Sequence, residues 1–380
     1  MHPKVGIIGA SQTHFEATKA HQTISEMVFE IAQMALDDAG ITWVDLDYTI
    51  TSSVDLWDGM TASNATLTEV VGAVMKPEMR VAGDGLTAAL QGLLTILSGS
   101  ADVVLVISYS KESMSSRWEI TNWVFDPIYQ QTLGLDYLTA AALQARAYFP
   151  RYGVTEEDSA GVVVKNLADA QRNPYAQRRE KISIEDVLHS EVWASPIKAL
   201  DVSPVSDGGA AVILASEKAI REKGIKPVWI LGAGRCMENH YLGERDLAEG
   251  EALRKAAQKA CNLAGIKNPV KEIDVAEISC AFSYQEFLWS ELLGLYPRGQ
   301  GKRLLRDWAG GLGGKLSINP SGGMMAGNPI IPAGLVRLVE AYLQVKGKAQ
   351  GHQVPGVKRA LAHGTDGPCG QGQCVMVIGA

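Results

Sequence analysis

The chain states one structural plan twice. MALDDAGI at residues 34–41, a short linker and the strand-like DYTIT are echoed by KACNLAGI at 259–266 and the strand-like DVAEIS. GDGLTAALQGLLTILSGSADVVLVIS at 83–108 reads as glycine turn, helix and strand; its counterpart is the glycine-rich loop at Asn319, a helix from Ala333 to Val345, and KRALAH at 358–363. Two copies of one α/β plan must bury their strands against helices, and equivalent loops then face each other across a pseudo-two-fold axis. Clefts form at such places.

Apolar β-branched runs alternate with helix-period segments throughout the first copy: VGIIGA, a helix over 25–39, a strand near 48–52, a helix over 86–97, and ADVVLVIS. This is the rhythm of an α/β fold with buried strands. The helix over 25–39 carries its cap at Ser25 and stops at Gly40. Residues 110–203, rich in Tyr, Arg, Trp and Pro, show helical stretches without strand alternation and read as a large insertion, a lid or substrate-binding layer. The expected divisions are therefore 1–109 with 204–225 as the first half, 110–203 as the insertion, and 226–380 as the second half.

The loop NPSGGMMAGNP, 319–329, concentrates backbone constraint. Gly322, Gly323 and Gly327 permit positive φ or close approach, Pro320 and Pro329 fix φ, and Asn319 and Asn328 bring amides. It is either a tight strand-to-helix turn or the wall of a site that holds an anion or oxyanion. The charge balance, 35 basic against 42 acidic residues with no Lys/Arg run, argues against a nucleic-acid or anionic-membrane surface. No apolar run reaches a membrane span, and MHPKVGIIGAS leads straight into a strand, so the expected location is cytoplasmic. The cysteines Cys236, Cys261, Cys280, Cys369 and Cys374 are odd in number and never in CxxC spacing, so neither a disulfide framework nor a metal site is expected. Cys261, among Ala and Leu, reads as a buried structural thiol.

Five segments, in order and spacing, resemble the thiolase superfamily, specifically its sterol-carrier-protein-type and archaeal-type members. They are SADVVLVISYSKESMS, KNLADAQRNPYAQ, SPVSDGGAAVILAS, EISCAFSYQEF and NPSGGMMAGNP. The resemblance implies the thiolase fold, five layers αβαβα from two duplicated α/β halves, with a homodimer through the first half. It also implies a pocket for the pantetheine arm of coenzyme A, a coenzyme A thioester as substrate with no covalently bound cofactor, and chemistry at the Cα–Cβ bond of an acyl-CoA.

The catalytic positions depart from the family pattern. The nucleophile motif, like CxSGxxA, is here Ala82, Gly83, Asp84, Gly85, Leu86, Thr87, Ala88, which puts Ala82 where the cysteine stands. A methyl group forms no acyl-enzyme. Asp84 is the ionisable newcomer, a helix cap or a base. The HDAF or NEAF motif becomes Ser279, Cys280, Ala281, Phe282, with Cys280 an acid/base group, a nucleophile or a packed thiol. GHP becomes Gly327, Asn328, Pro329; an amide can donate to an enolate oxygen but carries no proton. In the final loop, AHGTDGPCGQGQC, His363 matches the family's C-terminal histidine and Cys369 shares its glycine-rich turn; His363 is the preferred active-site group because imidazole titrates near working pH. Tyr284 and His240 fall on the expected pocket wall, with Ser279, Asn319, Gly322 and Gly323 as substrate-binding candidates.

Thiolase-like chains without the cysteine act as retro-aldolases with a small zinc-ribbon/OB-fold subunit. That reaction needs a base for a β-hydroxyl and an oxyanion hole for the thioester enolate, but no nucleophile. The resemblance thus implies acyl-CoA carbon–carbon cleavage or formation, with His363, Tyr284 or Asp84 taking the proton. Two alternatives stand beside it. One is thiolysis or Claisen condensation of a β-ketoacyl-CoA with a nucleophile moved to Cys280 or Cys369, or with coenzyme A attacking the β-keto thioester directly. The other is a non-catalytic subunit that binds acyl-CoA.

Overall fold

The computed structural model describes residues 4–308 and 316–380, so the first three residues of the opening segment lie outside it. Its strands are β1 (Val5–Gln12), β2 (Tyr48–Ser52), β3 (Glu78–Val81), β4 (Val103–Lys111), β5 (Val192–Ala194), β6 (Ile197–Lys198), β7 (Asp207–Ser216), β8 (Val228–Met237), β9 (Val275–Ile278), β10 (Ser317–Ile318), β11 (Arg359–Asp366) and β12 (Gly372–Gly379). Ten of these form one mixed sheet in the order β10-β9-β11-β12-β8-β1-β7-β4-β2-β3.

The duplication is visible in that order. Outward from the centre, β1-β7-β4-β2-β3 runs one way and β8-β12-β11-β9-β10 the other, with the same pattern of antiparallel inner and parallel outer pairs. The halves meet through two residue pairs, Gly6 with Trp229 and Ile7 with Val228. Helix Ile24–Ala39 covers the outer face of the first half, and helix Glu251–Leu263 covers that of the second. The equivalent helices Gly85–Leu97 and Ala333–Lys346 pack on each other and touch strands of both halves. The expected five layers are present, with the two halves joined into one ten-stranded sheet.

Side-chain alternation explains the layering. Along β11, Ala360 and Ala362 join Leu86, Leu335, Val339 and Met376 in the central layer, whereas Leu361 joins Leu253, Ala257 and Val377 on the outer face. The helix N-termini come close because both begin in glycine-containing turns: a Cβ on Gly85 would stand 2.6 Å from Leu335 Cβ. The first helix is capped by Thr23, which forms a capping box with Glu26, two residues before the expected cap at Ser25; Gly40 ends it at φ 66°.

Between β4 and β7 lie helices Arg117–Asn122, Tyr137–Tyr152, Glu156–Ala170 and Ile184–Leu188, and also the small β5/β6 ribbon that the sequence pattern did not announce. Two- and three-residue strands are too short to show a period of two. Helix Tyr137–Tyr152 packs Leu138, Ala141 and Tyr148 against Phe287 and Leu292 of the second half. Helix Glu156–Ala170 holds up the glycine-rich loop: Lys165 Nζ donates to Ile318 O (2.7 Å) and pairs with Glu286 (2.9 Å), both buried.

Behind that loop is a buried ionic network. Arg337 Nη1 lies 2.6 Å from Glu277 Oε2 and 2.8 Å from Ser321 Oγ, while Nη2 reaches Asn328 Oδ1 at 3.1 Å. One turn on, Glu340 accepts from Gln12 (2.7 Å) and Asn173 (3.1 Å) and faces His352 Nε2 at 2.8 Å. Burial pushes the Glu277 carboxyl up despite Arg337, so removing the arginine leaves a buried acid without its salt-bridge partner among the described residues. Arg337→Met is expected to lower unfolding free energy by about 3–5 kcal/mol in urea titrations, and Arg337→Met/Glu277→Gln to recover part of the loss.

Candidate active site

A cavity of about 310 Å³ opens where the equivalent loops of the two halves converge. Ala82, Gly83 and Asp84 come from the turn after β3; Ser279, Ala281 and Phe282 follow β9; Ile330, Ile331 and Ala333 lead into the second central helix. Thr365, Asp366, Cys369 and Gly370 come from the end of β11 and its loop. Trp57, Ile120, Val124 and Tyr137 close it from the first half and the insertion, and Arg235 of β8 brings a cation. The wall is largely apolar with a few converging polar groups, as in small-molecule sites generally.

Asp84 sits at the start of both central helices. Its Oδ1 accepts from Leu86 N (2.9 Å) in its own helix, and its Oδ2 from Gly334 N (2.7 Å) in the equivalent one. Burial, then the charge of Asp366, push the Asp84 carboxyl well above the usual range, outweighing those two amides. The backbone N–H of Asp84 donates to Asp366 Oδ1. Asp366 Oδ2 accepts from Thr87 Oγ1 (3.3 Å) and Arg235 Nη2 (3.3 Å). Asp84 is thus a helix cap, one of the two readings of the sequence, and the cavity wall also carries a second carboxylate that the sequence reading missed.

Ser279 is fully buried on the wall, and its hydroxyl has no hydrogen-bond partner. Cys369 is the one cysteine among the lining residues. Its thiol donates to Ala140 O (3.2 Å), and burial pushes its pKa up to about 12, Arg245 offsetting little.

The other expected site residues lie off the wall. His363 is on the outer face of β11, against Trp289; its Nε2 donates to Gln373 Oε1 (2.6 Å), and burial lowers its pKa to about 4, so the ring is neutral. Asn328 is held by Arg337, and its Nδ2 donates to Pro329 O (3.0 Å). Tyr284 donates to Ala141 O (2.9 Å) deep in the core, and burial raises its pKa further from working pH. The Cys280 thiol is buried and also pushed up. Asn319 ties its loop to β9, Oδ1 accepting from Ile278 N (2.6 Å) and Nδ2 donating to Glu286 (2.7 Å). Gly322, at φ 92°, and Gly323, at φ 57°, shape that turn, and a Cβ on Gly322 would meet Ala170 at 2.7 Å. His240 rests on Gln371 Oε1 (3.3 Å) and Phe125. Of the expected set, the cavity brings together Asp84, Ser279 and Cys369.

Asp366, Arg235 and Tyr137 were not singled out from sequence. Alternation along β11 held the signal for Asp366: residues 360, 362, 364 and 366 share the central face, and 363 does not.

The model for the thiolase N-terminal domain matches residues 5–218, and that for the thiolase C-terminal domain-like family matches 233–380. An acetyl-CoA acetyltransferase of Methanothermobacter thermautotrophicus is 31% identical over 376 residues, covering 96% of this chain and 97% of its own. Benzoylsuccinyl-CoA thiolase subunit BbsB of Thauera aromatica is 35% identical over 231 residues, 60% of each chain. Among solved structures, one described as the Ltp2-ChsH2(DUF35) aldolase superposes with a TM-score of 0.84 at 23% identity, over 100% of this chain and 99% of that one.

The dry, hydrogen-bonded state of Cys369 has a direct consequence. Alkylation by iodoacetamide at pH 8 is expected to be at least about a hundredfold slower than for free cysteine in the folded protein, and to become normal in urea, read by peptide mass spectrometry.

Proposed function

The chain belongs to the thiolase superfamily, and from that premise we propose that it breaks or makes the Cα–Cβ bond of an acyl-CoA by a retro-aldol route on a β-hydroxyacyl-CoA, without an acyl-enzyme. The observation that carries the reading is Ala82 on the cavity wall with no ready thiolate beside it. A retro-aldol step asks for a base and for a donor to the thioester oxygen, and for no nucleophile. When the β-hydroxyl proton leaves, the Cα–Cβ electron pair passes into the thioester enolate, the β-carbon departs as a carbonyl, and Cα then takes a proton.

Ser279 is the donor this reading assigns to the enolate oxygen, in place of Asn328, because it lines the cavity and its hydroxyl has no hydrogen-bond partner, while Asn328 is held by Arg337. The apolar, aromatic wall of Trp57, Tyr137 and Phe282 suits a bulky or aromatic β-substituent. The aldolase named among the structural neighbours shares the fold and agrees with the reading.

A second reading, thiolysis or Claisen condensation of a β-ketoacyl-CoA, draws on the acetyltransferase and thiolase relatives and on Cys369 at the wall. A homodimer through the first half, a cytoplasmic location and a small zinc-ribbon/OB-fold subunit belong to the same proposal. In favour of the dimer, the terminal strand β3 leaves Met79 exposed, beside exposed Val74 and Met75. In favour of the subunit, two of the named neighbours are described as parts of assemblies. No helix among the described residues is long and apolar enough to cross a membrane.

The test offers the chain, with and without a co-encoded zinc-ribbon protein, 3-hydroxy-3-phenylpropionyl-CoA on one side and a β-ketoacyl-CoA plus coenzyme A on the other. Release of benzaldehyde and acetyl-CoA is the expected result. Turnover of the β-keto substrate alone overturns it in favour of thiolysis, and binding without turnover of either leaves a non-catalytic acyl-CoA-binding subunit. Ser279→Ala is expected to lower kcat by about a hundredfold with an unchanged melting temperature.

A further inference from the structure

A carboxylate occupies the neighbourhood that the missing nucleophile has left. A Cβ built on Gly83 would stand 2.9 Å from Asp366 Oδ1, so this side chain lies against the residue directly after Ala82. Both residues line the same cavity, and so does Ser279, whose buried hydroxyl has no hydrogen-bond partner. One oxygen of Asp366 is fixed by the backbone of Asp84; the other has only long contacts, at 3.3 Å each, to Thr87 and Arg235. Its side chain is 21% exposed, whereas the carboxyl of Asp84 is buried with both oxygens engaged by helix amides. Of the two acids on the wall, Asp366 is the one with a partly exposed side chain and an oxygen held only by long contacts, which a substrate hydroxyl can displace.

We propose that Asp366 is the acid/base group of the site, held in place by the Asp84 backbone and by Arg235. The inference rests on the retro-aldol reading. The Asp366 carboxylate takes the β-hydroxyl proton as the Cα–Cβ bond breaks and its electron pair forms the thioester enolate. Protonated Asp366 then delivers that proton to Cα, which yields the acyl-CoA and restores the carboxylate with no further reactant. Arg235 holds one oxygen of the carboxylate from 3.3 Å, and Asp84 fixes the other through a main-chain N–H. A base in this position acts on the face of the substrate where a thiolate at residue 82 would otherwise attack, so a substitution that removes the nucleophile and a carboxylate that abstracts a proton are two parts of one altered site.

Asp366→Asn separates this role from a structural one, because the amide oxygen still accepts from the Asp84 N–H while the proton-carrying group is gone. Two readouts are made on each protein: cleavage of 3-hydroxy-3-phenylpropionyl-CoA, and exchange of the α-hydrogens of acetyl-CoA with D2O, followed by mass spectrometry. The expected result is loss of both by more than about tenfold in Asp366→Asn, with acetyl-CoA binding kept. A smaller loss in a variant whose parent is active overturns the assignment and leaves the retro-aldol reading intact. If the parent protein exchanges α-hydrogens without cleaving the hydroxyacyl-CoA, the retro-aldol reading falls and the exchange arm alone decides Asp366. A parent that does neither overturns both. Should Asp366→Asn fail to fold, Asp366→Ala with and without added formate takes its place: recovery of exchange with formate supports the assignment, and full activity without it overturns the assignment.

Discussion

One carboxylate fastens the two halves of the molecule together. Asp84 accepts a main-chain hydrogen bond from the first turn of each central helix, so the positive ends of two helices that are equivalent by duplication converge on a single side chain. Its own N–H reaches the end of β11, which brings a third element to the same point. The glycines around it are what make this approach feasible: a Cβ on Gly334 would stand 2.0 Å from Asp84 Oδ1, and one on Gly364 would stand 2.1 Å from it. A Cβ on Gly334 would press the second helix off Asp84, and one on Gly364 would press β11 off it, at the place where Ala82 and Asp366 line the cavity.

The large-scale fold was legible because it rests on repetition and on long buried strands. The echo between 34–52 and 259–279 corresponds to helix-then-strand units that occupy matching places in the ten-stranded sheet. The site was legible only where a motif coincides with the wall, at Ala82, Asp84, Ser279 and Cys369. The titration range of imidazole favours His363, but a side chain's face is set by position along the strand, and position 363 points to the outer layer beside Trp289. Asn328 looked like a free amide; Arg337, nine residues on and one helix turn inside the core, takes its oxygen. Such an encounter depends on how a loop folds back on the helix that follows it, and no local pattern announces it.

Burial acts in the same direction on the thiols and on the buried acids around the cavity. Taking a thiol out of water raises its pKa and removes the thiolate that would attack, which is the state of Cys280, Cys369 and Cys374. The same desolvation pushes the Asp84 carboxyl up, whereas Asp366, its side chain 21% exposed, accepts from Thr87 and Arg235. The larger buried ions, Glu277 with Arg337 and Lys165 with Glu286, lie behind the glycine-rich loop, where they hold it against the sheet.

Ala82 falls between the end of β3 at Val81 and the helix that starts at Gly85, outside every ladder of the sheet. The side chain at this position is therefore not asked to pair a strand or to fill the layer between the half-sheets. The architecture keeps its scaffold and its cavity wall in separate places: strands and paired helices carry the shape, and the short turns at their ends line much of the cavity. A change of side chain at position 82 alters what the cavity presents without touching the strand pairing that fixes the shape.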